Sequence, residues 1–368
     1  MDFEKEKTRK RKKKGTILIV SLIIVTLSAI TLCIFFLLSY ISEKNKNQEV
    51  MAEIESLENS LQSQTEEESK KEFLYTQEEL NIHVEKANQE FLDKLKSMIE
   101  NGEGMLSVLQ HFYPDYVIAS SDGSYHFFPI LENLKKNNFE LNKFIYPVYN
   151  EENKEWEGTA SYMEGTEKEA KKGVDVSVYQ GDIDWEKVKN AGIDFTIIRL
   201  GFRGYETGKI VLDKNFEDNI KGSLEVGLDT GVYFFTEALD EKEAIEEADF
   251  VINNLRNYKI NMPIVIDVEE SANTEKTRTR DLTPEQRTKN VIAFCEKIKE
   301  AGYDVMIYGN LKSFMIMMNI EELEVYDKWF AYYRYPFLFP YKIKMWQYTA
   351  YEKIDGIDGK ADVNLMFY

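Results

Sequence analysis

The sequence predicts an α/β protein whose C-terminal half is an irregular (β/α) barrel, TIM-like, with eight strands and incomplete helices. Three observations predict it. Between Gly173 and Tyr368, eight short apolar runs alternate with stretches of helical periodicity, as in a sheet whose strands are joined by helical crossovers. Acids and aromatics recur along those runs at positions that would converge on one mouth, where such barrels gather their chemistry. Some crossovers, such as that between Tyr332 and Met345, are too short for a full helix, which makes the barrel irregular. A transmembrane helix, a helical stalk and a small α+β module are predicted to precede it.

The N-terminal tail, 1–15, is basic. Residues 1–42 hold eight Lys or Arg and three acids, a net of +5, so the rest of the chain carries −24 and the whole −19. Thr16 to Ile41 is 26 residues without a charge, long enough to cross a bilayer as a helix. The cluster Arg9, Lys10, Arg11, Lys12, Lys13 and Lys14 should stay in the cytoplasm, leaving the C-terminal body outside the cell membrane. An uncleaved anchor is expected over a signal peptide, because the apolar core is long and no small-x-small site follows it. The acidic body excludes nucleic acid as the expected partner.

In the stalk, 42–103, Val50, Ile54, Leu57 and Leu61 follow spacings of four and three, a short coiled-coil-like pattern. A second amphipathic stretch sets Val84, Ala87, Phe91, Leu95 and Met98 on one face. Self-association, an envelope-complex partner and a stalk folded back on its own domain all remain open. In the module, 104–149, Tyr116–Ala119 and Tyr125–Phe128 flank Ser120-Ser121-Asp122-Gly123-Ser124, a hairpin signal. The charged stretch 150–172 reads as a linker.

The barrel, 173–368, has strand candidates at Val174–Val178, Phe195–Leu200, Gly231–Phe235, Ile264–Glu269, Val305–Tyr308, Trp329–Tyr332, Met345–Tyr348 and Asp362–Phe367. Helices are predicted over Glu241–Asn257 and Pro284–Ala301. The second has Thr283 as cap, Pro284 in its first turn, Gln286 three after the cap and Gly302 at its end. Cys33 and Cys295 suggest no disulfide, and no metal spacing or cofactor motif is found. His83, His111 and His126 all precede the barrel, which excludes Ser-His and Cys-His nucleophiles there.

Ile264-Val265-Ile266-Asp267-Val268-Glu269 carries the chemistry. Side chains alternate along a strand, so Asp267 and Glu269 share a face, roughly 6.5–7 Å apart. Paired acids at that reach suit glycosidic cleavage: one protonates the leaving oxygen, the other offsets the positive charge left on the sugar. The plain alternative is a strand ending in two solvated acids. Against it, the fold brings Asp175 and Ser177, Arg199, Tyr233 and Phe235, Tyr308, Tyr332, Trp346 and Gln347, and Asp362 to the same mouth. Solvated acids fall more often in loops and on outer helix faces.

Several blocks resemble glycoside hydrolase family 25, the muramidase-type lysozymes. They are Gly173-Val174-Asp175-Val176-Ser177 with Gln180-Gly181 and Ile183-Asp184-Trp185, Phe195–Gly201, Gly231–Phe235, Asp267-Val268-Glu269, Ile307–Asn310, Trp346-Gln347-Tyr348 and Gly359–Asn364. Where that family often has Tyr-His-Phe, this chain has Tyr233-Phe234-Phe235. The resemblance implies hydrolysis of the β-1,4 bond between N-acetylmuramic acid and N-acetylglucosamine in peptidoglycan. Glu269 matches the family's general acid and Asp267 its partner, which stabilises charge or orients the substrate's own N-acetyl group. Asp175 and Asp362 match further acids, as catalytic groups or hydrogen-bonded supports. Tyr233, Tyr308, Tyr332 and Trp346 are candidates to stack on sugar rings or to pack the core. Arg199 is a candidate for an ion pair or a substrate carboxylate, and Gln180 for substrate contact. A non-catalytic wall-binding or scaffold protein of a surface secretion or conjugation machine is the alternative.

Overall fold

The computed structural model describes residues 76–150, 152, 155–271 and 276–368. The expected basic tail, the membrane span and the first coiled-coil-like stretch lie outside the described residues. Among the described residues no helix is long and apolar enough to cross a membrane. The chain divides into two compact units, Met1–Gly104 and Met105–Tyr368.

In the first unit, the second amphipathic stretch is a helix, α1 (Gln77–Glu100). It starts where Thr76 and Glu79 satisfy each other's backbone amides, a capping box.

The second unit begins with α2 (Met105–Phe112) and the predicted hairpin, β1 (Tyr116–Ser121) and β2 (Ser124–Pro129). Asp122 and Gly123 both have positive φ, 52° and 73°, as a tight two-residue hairpin turn requires. Short strands follow: β3 (Phe144–Ile145), β4 (Val148–Asn150), β5 (Glu155–Glu157), β6 (Ser161–Glu164) and β7 (Glu167–Lys168). The stretch expected as a linker is thus largely strand. Its outward residues are Glu and Lys, which dominate the composition, while Ala160, Tyr162 and Ala170 are buried. Tyr162 packs on Phe139, Phe144 and Phe367, so this stretch is fastened to the last barrel strand.

Eight strands close the barrel: β8 (Ala170–Val176), β9 (Phe195–Arg203), β11 (Asp229–Phe235), β12 (Ile264–Asp267), β13 (Val305–Asn310), β14 (Asp327–Ala331), β15 (Met345–Glu352) and β16 (Ala361–Phe367). An unforeseen strand, β10 (Ile210–Leu212), pairs antiparallel with the end of β9. Around the outside run α3 (Trp185–Asn190), α4 (Phe216–Glu225), α5 (Glu241–Leu255) and α6 (Pro284–Glu300). On α6 the Thr283 hydroxyl accepts from the Gln286 amide at 3.2 Å. The Tyr332–Met345 crossover contains no helix.

Seven barrel strands are parallel, but β16 runs antiparallel to both β15 and β8. That reversal has a consequence for the site. Asp362 is the second residue of β16 and would lie at the barrel floor in an all-parallel arrangement. Running the other way, β16 starts at the mouth and sets Asp362 beside Asp175. Period-two alternation separates two apolar layers. Phe195, Ile197, Val265, Met306, Trp329 and Met345 fill the barrel interior, while Ile198, Val232, Ile264, Ile266, Ile307 and Phe330 face the outer layer. Gly173 is needed where the interior is tightest, since a Cβ there would lie 2.3 Å from the Phe195 ring.

Candidate active site

Above the packed interior lies a cavity of about 180 Å3. Four carboxylates line it: Asp175 at the end of β8, Asp267 at the end of β12, Glu269 two residues on, and Asp362. Strand β12 stops at Asp267, yet the alternation persists: Val268 packs outward, and its amide donates to the Tyr308 carbonyl at 3.0 Å. Asp267 and Glu269 therefore both face the cavity. Asp267 is 5% exposed, whereas Glu269 is only half-buried.

A chain of hydrogen bonds sets the deeper groups. The Tyr308 hydroxyl donates to Gln347 Oε1 at 2.8 Å, and Tyr333 donates to the same oxygen. Gln347 Nε2 donates to Asp175 Oδ2 at 2.8 Å, as does Asn364 Nδ2 at 2.8 Å. Trp329 Nε1 orients Asn364 through its Oδ1 at 2.8 Å. Asp175 is thus a positioned acceptor. Asp267 differs: among the described residues its buried Oδ1 has no hydrogen-bond partner. A buried carboxylate oxygen left open is an acceptor awaiting a donor.

Burial raises all four carboxyls above their ordinary range. Glu269 is pushed up to about 7 by burial first and then by the Asp362 charge, against hydrogen bonds from Asn310 and Tyr308. Asp267 rises as well, through burial first and then the Glu269 and Asp175 charges. Asp362 is lifted to about 6 by burial, and Asp175 rises through burial and the Asp362 charge. Such acids titrate as a group: they share protons at neutral pH because several like charges cannot crowd one dry cavity. The positive Arg199 opposes the Asp267 rise, but behind burial and the Glu269 and Asp175 charges, so Asp267 stays raised and shares protons with the group.

Of the expected aromatics, Tyr233 and Tyr308 line the cavity. Tyr332 and Trp346 do not. Strand β14 sends Trp329 and Ala331 inward, so Tyr332 points to the outer layer and Tyr333 takes the place at the mouth. Trp346 is fully buried in that outer layer against Phe144, Tyr146 and Phe337, its Nε1 donating to the Tyr332 carbonyl at 2.8 Å. Its neighbours Met345 and Gln347 face inward instead. Arg199 pairs with none of the four acids: its Nε meets Asp213 Oδ2 at 2.7 Å, and Tyr179 stacks over it at 5.0 Å. Gln180 also lies off the cavity, its Oε1 accepting from the Ser177 amide at 2.8 Å to cap a short turn.

Sequence reasoning missed Tyr333, Trp329, Asn364 and Asp213. For Tyr333 the signal was present, since it lies four residues after Trp329 on the inward parity. Asp213, in the loop after the unforeseen β10, carried none. Tyr333→Phe is expected to lower kcat/KM by up to roughly tenfold, the worth of one hydrogen bond to Gln347. Tyr332→Phe should leave it unchanged. Steady-state kinetics on the two variants checks this.

Comparison with known proteins places the chain in a family. The family model for glycosyl hydrolases family 25 matches residues 174–357, half of the chain. The autolytic lysozyme of Clostridium acetobutylicum is 25% identical over 197 residues, covering 52% of this chain and 55% of that protein. Lysozyme M1 of Streptomyces globisporus is 25% identical over 203 residues, covering 52% and 66%. The chain thus spans little more than half the length of the first such curated relative. Among solved structures, the modular autolysin LytC from Streptococcus pneumoniae, in complex with synthetic peptidoglycan ligand, has a TM-score of 0.51 at 25% identity, over 69% of this chain and 61% of that one. The match begins at the strand that carries Asp175 and runs through the acid pair of β12, and on that ground the chain belongs to glycosyl hydrolases family 25.

Proposed function

We propose that the chain is a muramidase, cleaving the β-1,4 bond between N-acetylmuramic acid and N-acetylglucosamine in peptidoglycan. One observation carries the reading: a half-buried Glu269 that keeps its proton near neutrality stands beside a buried Asp267 with an open oxygen. Glu269 donates its proton to the bridging oxygen as the bond to the muramic anomeric carbon breaks. The carbonyl oxygen of the substrate's own N-acetyl group attacks that carbon, giving a cyclic oxazolinium ion. Asp267 Oδ1 accepts from the N-acetyl N–H and offsets the positive charge. Water then opens the ring, returning its proton to Glu269. Two acids neighbouring on one strand leave little room for a separate nucleophile or water between them, which favours this substrate-assisted route. Asp175, held by two amides, supports the pair through its charge and position.

Loss of turbidity in a wall suspension, with mass analysis of the soluble products, tests the reading. New reducing ends on muramic acid support it. Cleavage of chitin oligomers without muropeptides overturns it, and lysis by neither wild type nor Glu269→Gln indicates a scaffold. Thr16 to Ile41 and the basic cluster before it support a single-pass anchor with the barrel on the wall side of the membrane. Protease added to intact cells should then remove the C-terminal body; its protection would overturn that placement.

A further inference from the structure

The cavity at the mouth does not end at Glu269. A second depression, of about 320 Å3, shares that carboxylate, and its size falls within the roughly 300–1,000 Å3 of small-ligand sites. Besides the segment after β12 with Glu269 and Glu270, three parts of the second unit line it: the β1–β2 turn with Asp122, the segment before α6 with Arg280 and the first turn of α6 with Arg287, and the start of the segment after β13 with Lys312. The hairpin of the N-terminal module therefore builds part of the cleft beside the acid pair.

The charges in this depression are unlike those around the acids. Arg287 is 8% exposed, its Nη2 donates to the Thr279 carbonyl at 3.1 Å, and among the described residues its Nε has no partner. A buried guanidinium with an idle donor is costly unless something brings an acceptor. Arg280 is exposed. Lys312 pairs with Glu270 at 2.7 Å; the Ser121 hydroxyl first, and the Lys312 charge second, hold the Asp122 carboxyl below its usual range. Three cations and two acids beyond Glu269 suit a ligand that carries carboxylates together with an amino group, which describes a short peptide and not a neutral sugar ring.

We propose that this depression binds the peptide arm of the muramic acid whose bond is cut, its free carboxylates held by Arg280, Arg287 and Lys312. The proposal rests on the muramidase reading. In that substrate the lactyl ether bearing the peptide sits on the same ring as the anomeric carbon under attack. The arm therefore leaves the glycan within one ring of Glu269, beside the depression that shares this residue. A bidentate guanidinium–carboxylate contact is the expected form of capture.

The test compares the full chain and its Arg280→Gln/Lys312→Gln double variant on two substrates. One is peptidoglycan with intact arms, the other the same glycan stripped of its peptides by an amidase. The double variant is expected to raise KM roughly tenfold or more on the arm-bearing glycan, the worth of a lost charge-assisted hydrogen bond, and to leave the stripped glycan unchanged. Equal loss on both substrates assigns the depression to a sugar ring and overturns the proposal, as does no change on either. Calorimetry with muramyl dipeptide as the probe reads binding without hydrolysis. Wild type should bind it roughly tenfold more tightly than the double variant, and equal affinity overturns the proposal even where both proteins cut glycan. A wild type that cuts neither substrate overturns the muramidase reading, and this proposal with it.

Discussion

Glu269→Gln is expected to reduce hydrolysis by at least roughly 10²–10⁴-fold, the usual contribution of a positioned general acid, while the protein remains folded. The amide keeps the shape and can still hydrogen-bond Asn310 and Tyr308, but it has no acidic proton for the leaving oxygen. The substitution should not destabilise the barrel at neutral pH. The carboxyl has a folded pKa of about 7 against an ordinary 4.5, so the folded state holds the proton more tightly than the unfolded chain. Its contribution to stability is fully present below about pH 4.5 and is lost as pH rises through about 7. The neutral amide removes that slope, so denaturant melts of wild type and variant should draw apart between those limits. A variant that retains most of the wild-type rate shows that another acid donates the proton, with Asp362 the first alternative.

The rate itself is expected to fall as pH rises above about 7, the value to which Glu269 is lifted. The acid must be protonated to act, so kcat/KM should drop roughly tenfold per pH unit beyond that point. By pH 9 the loss approaches roughly a hundredfold. Asp362 contributes to this limb, since its negative charge is the second cause of the Glu269 rise. Removing the charge with Asp362→Asn should therefore move the alkaline limb to lower pH, because a carboxyl with one fewer anionic neighbour ionises sooner. A kcat/KM profile flat to pH 9, or a limb that moves upward in the variant, contradicts the assignment. Acids this close titrate together, so the apparent values belong to the group and the direction of the displacement is what discriminates.

Much of this architecture was legible in residue order. All eight barrel strands lie where apolar, β-branched runs place them, and the cap at Thr283 forms as its local chemistry dictates. The cavity-facing pair Asp267 and Glu269 was legible for the same reason: a period of two needs only the strand itself. The aromatics were harder. Tyr332 and Tyr333 sit just past the end of β14, where only the inward parity set by Trp329 and Ala331 separates them. Trp346 had the right residue type and the wrong parity, since Met345 and Gln347 own the inward face.

Residue order alone placed an eight-strand β/α barrel with Asp267 and Glu269 on one face at the end of its fourth strand, because strand periodicity and helix capping are properties of a few neighbouring residues. Long-range assembly settled the rest. The eighth strand runs antiparallel to its neighbours, and by that route Asp362 reaches the mouth at which the residue pattern had placed it. A β10 hairpin supplied Asp213 to Arg199. The hairpin of the preceding module came to rest beside Glu269. Each of these depends on contacts between residues far apart in the chain, where burial and shape decide the outcome and local pattern is silent.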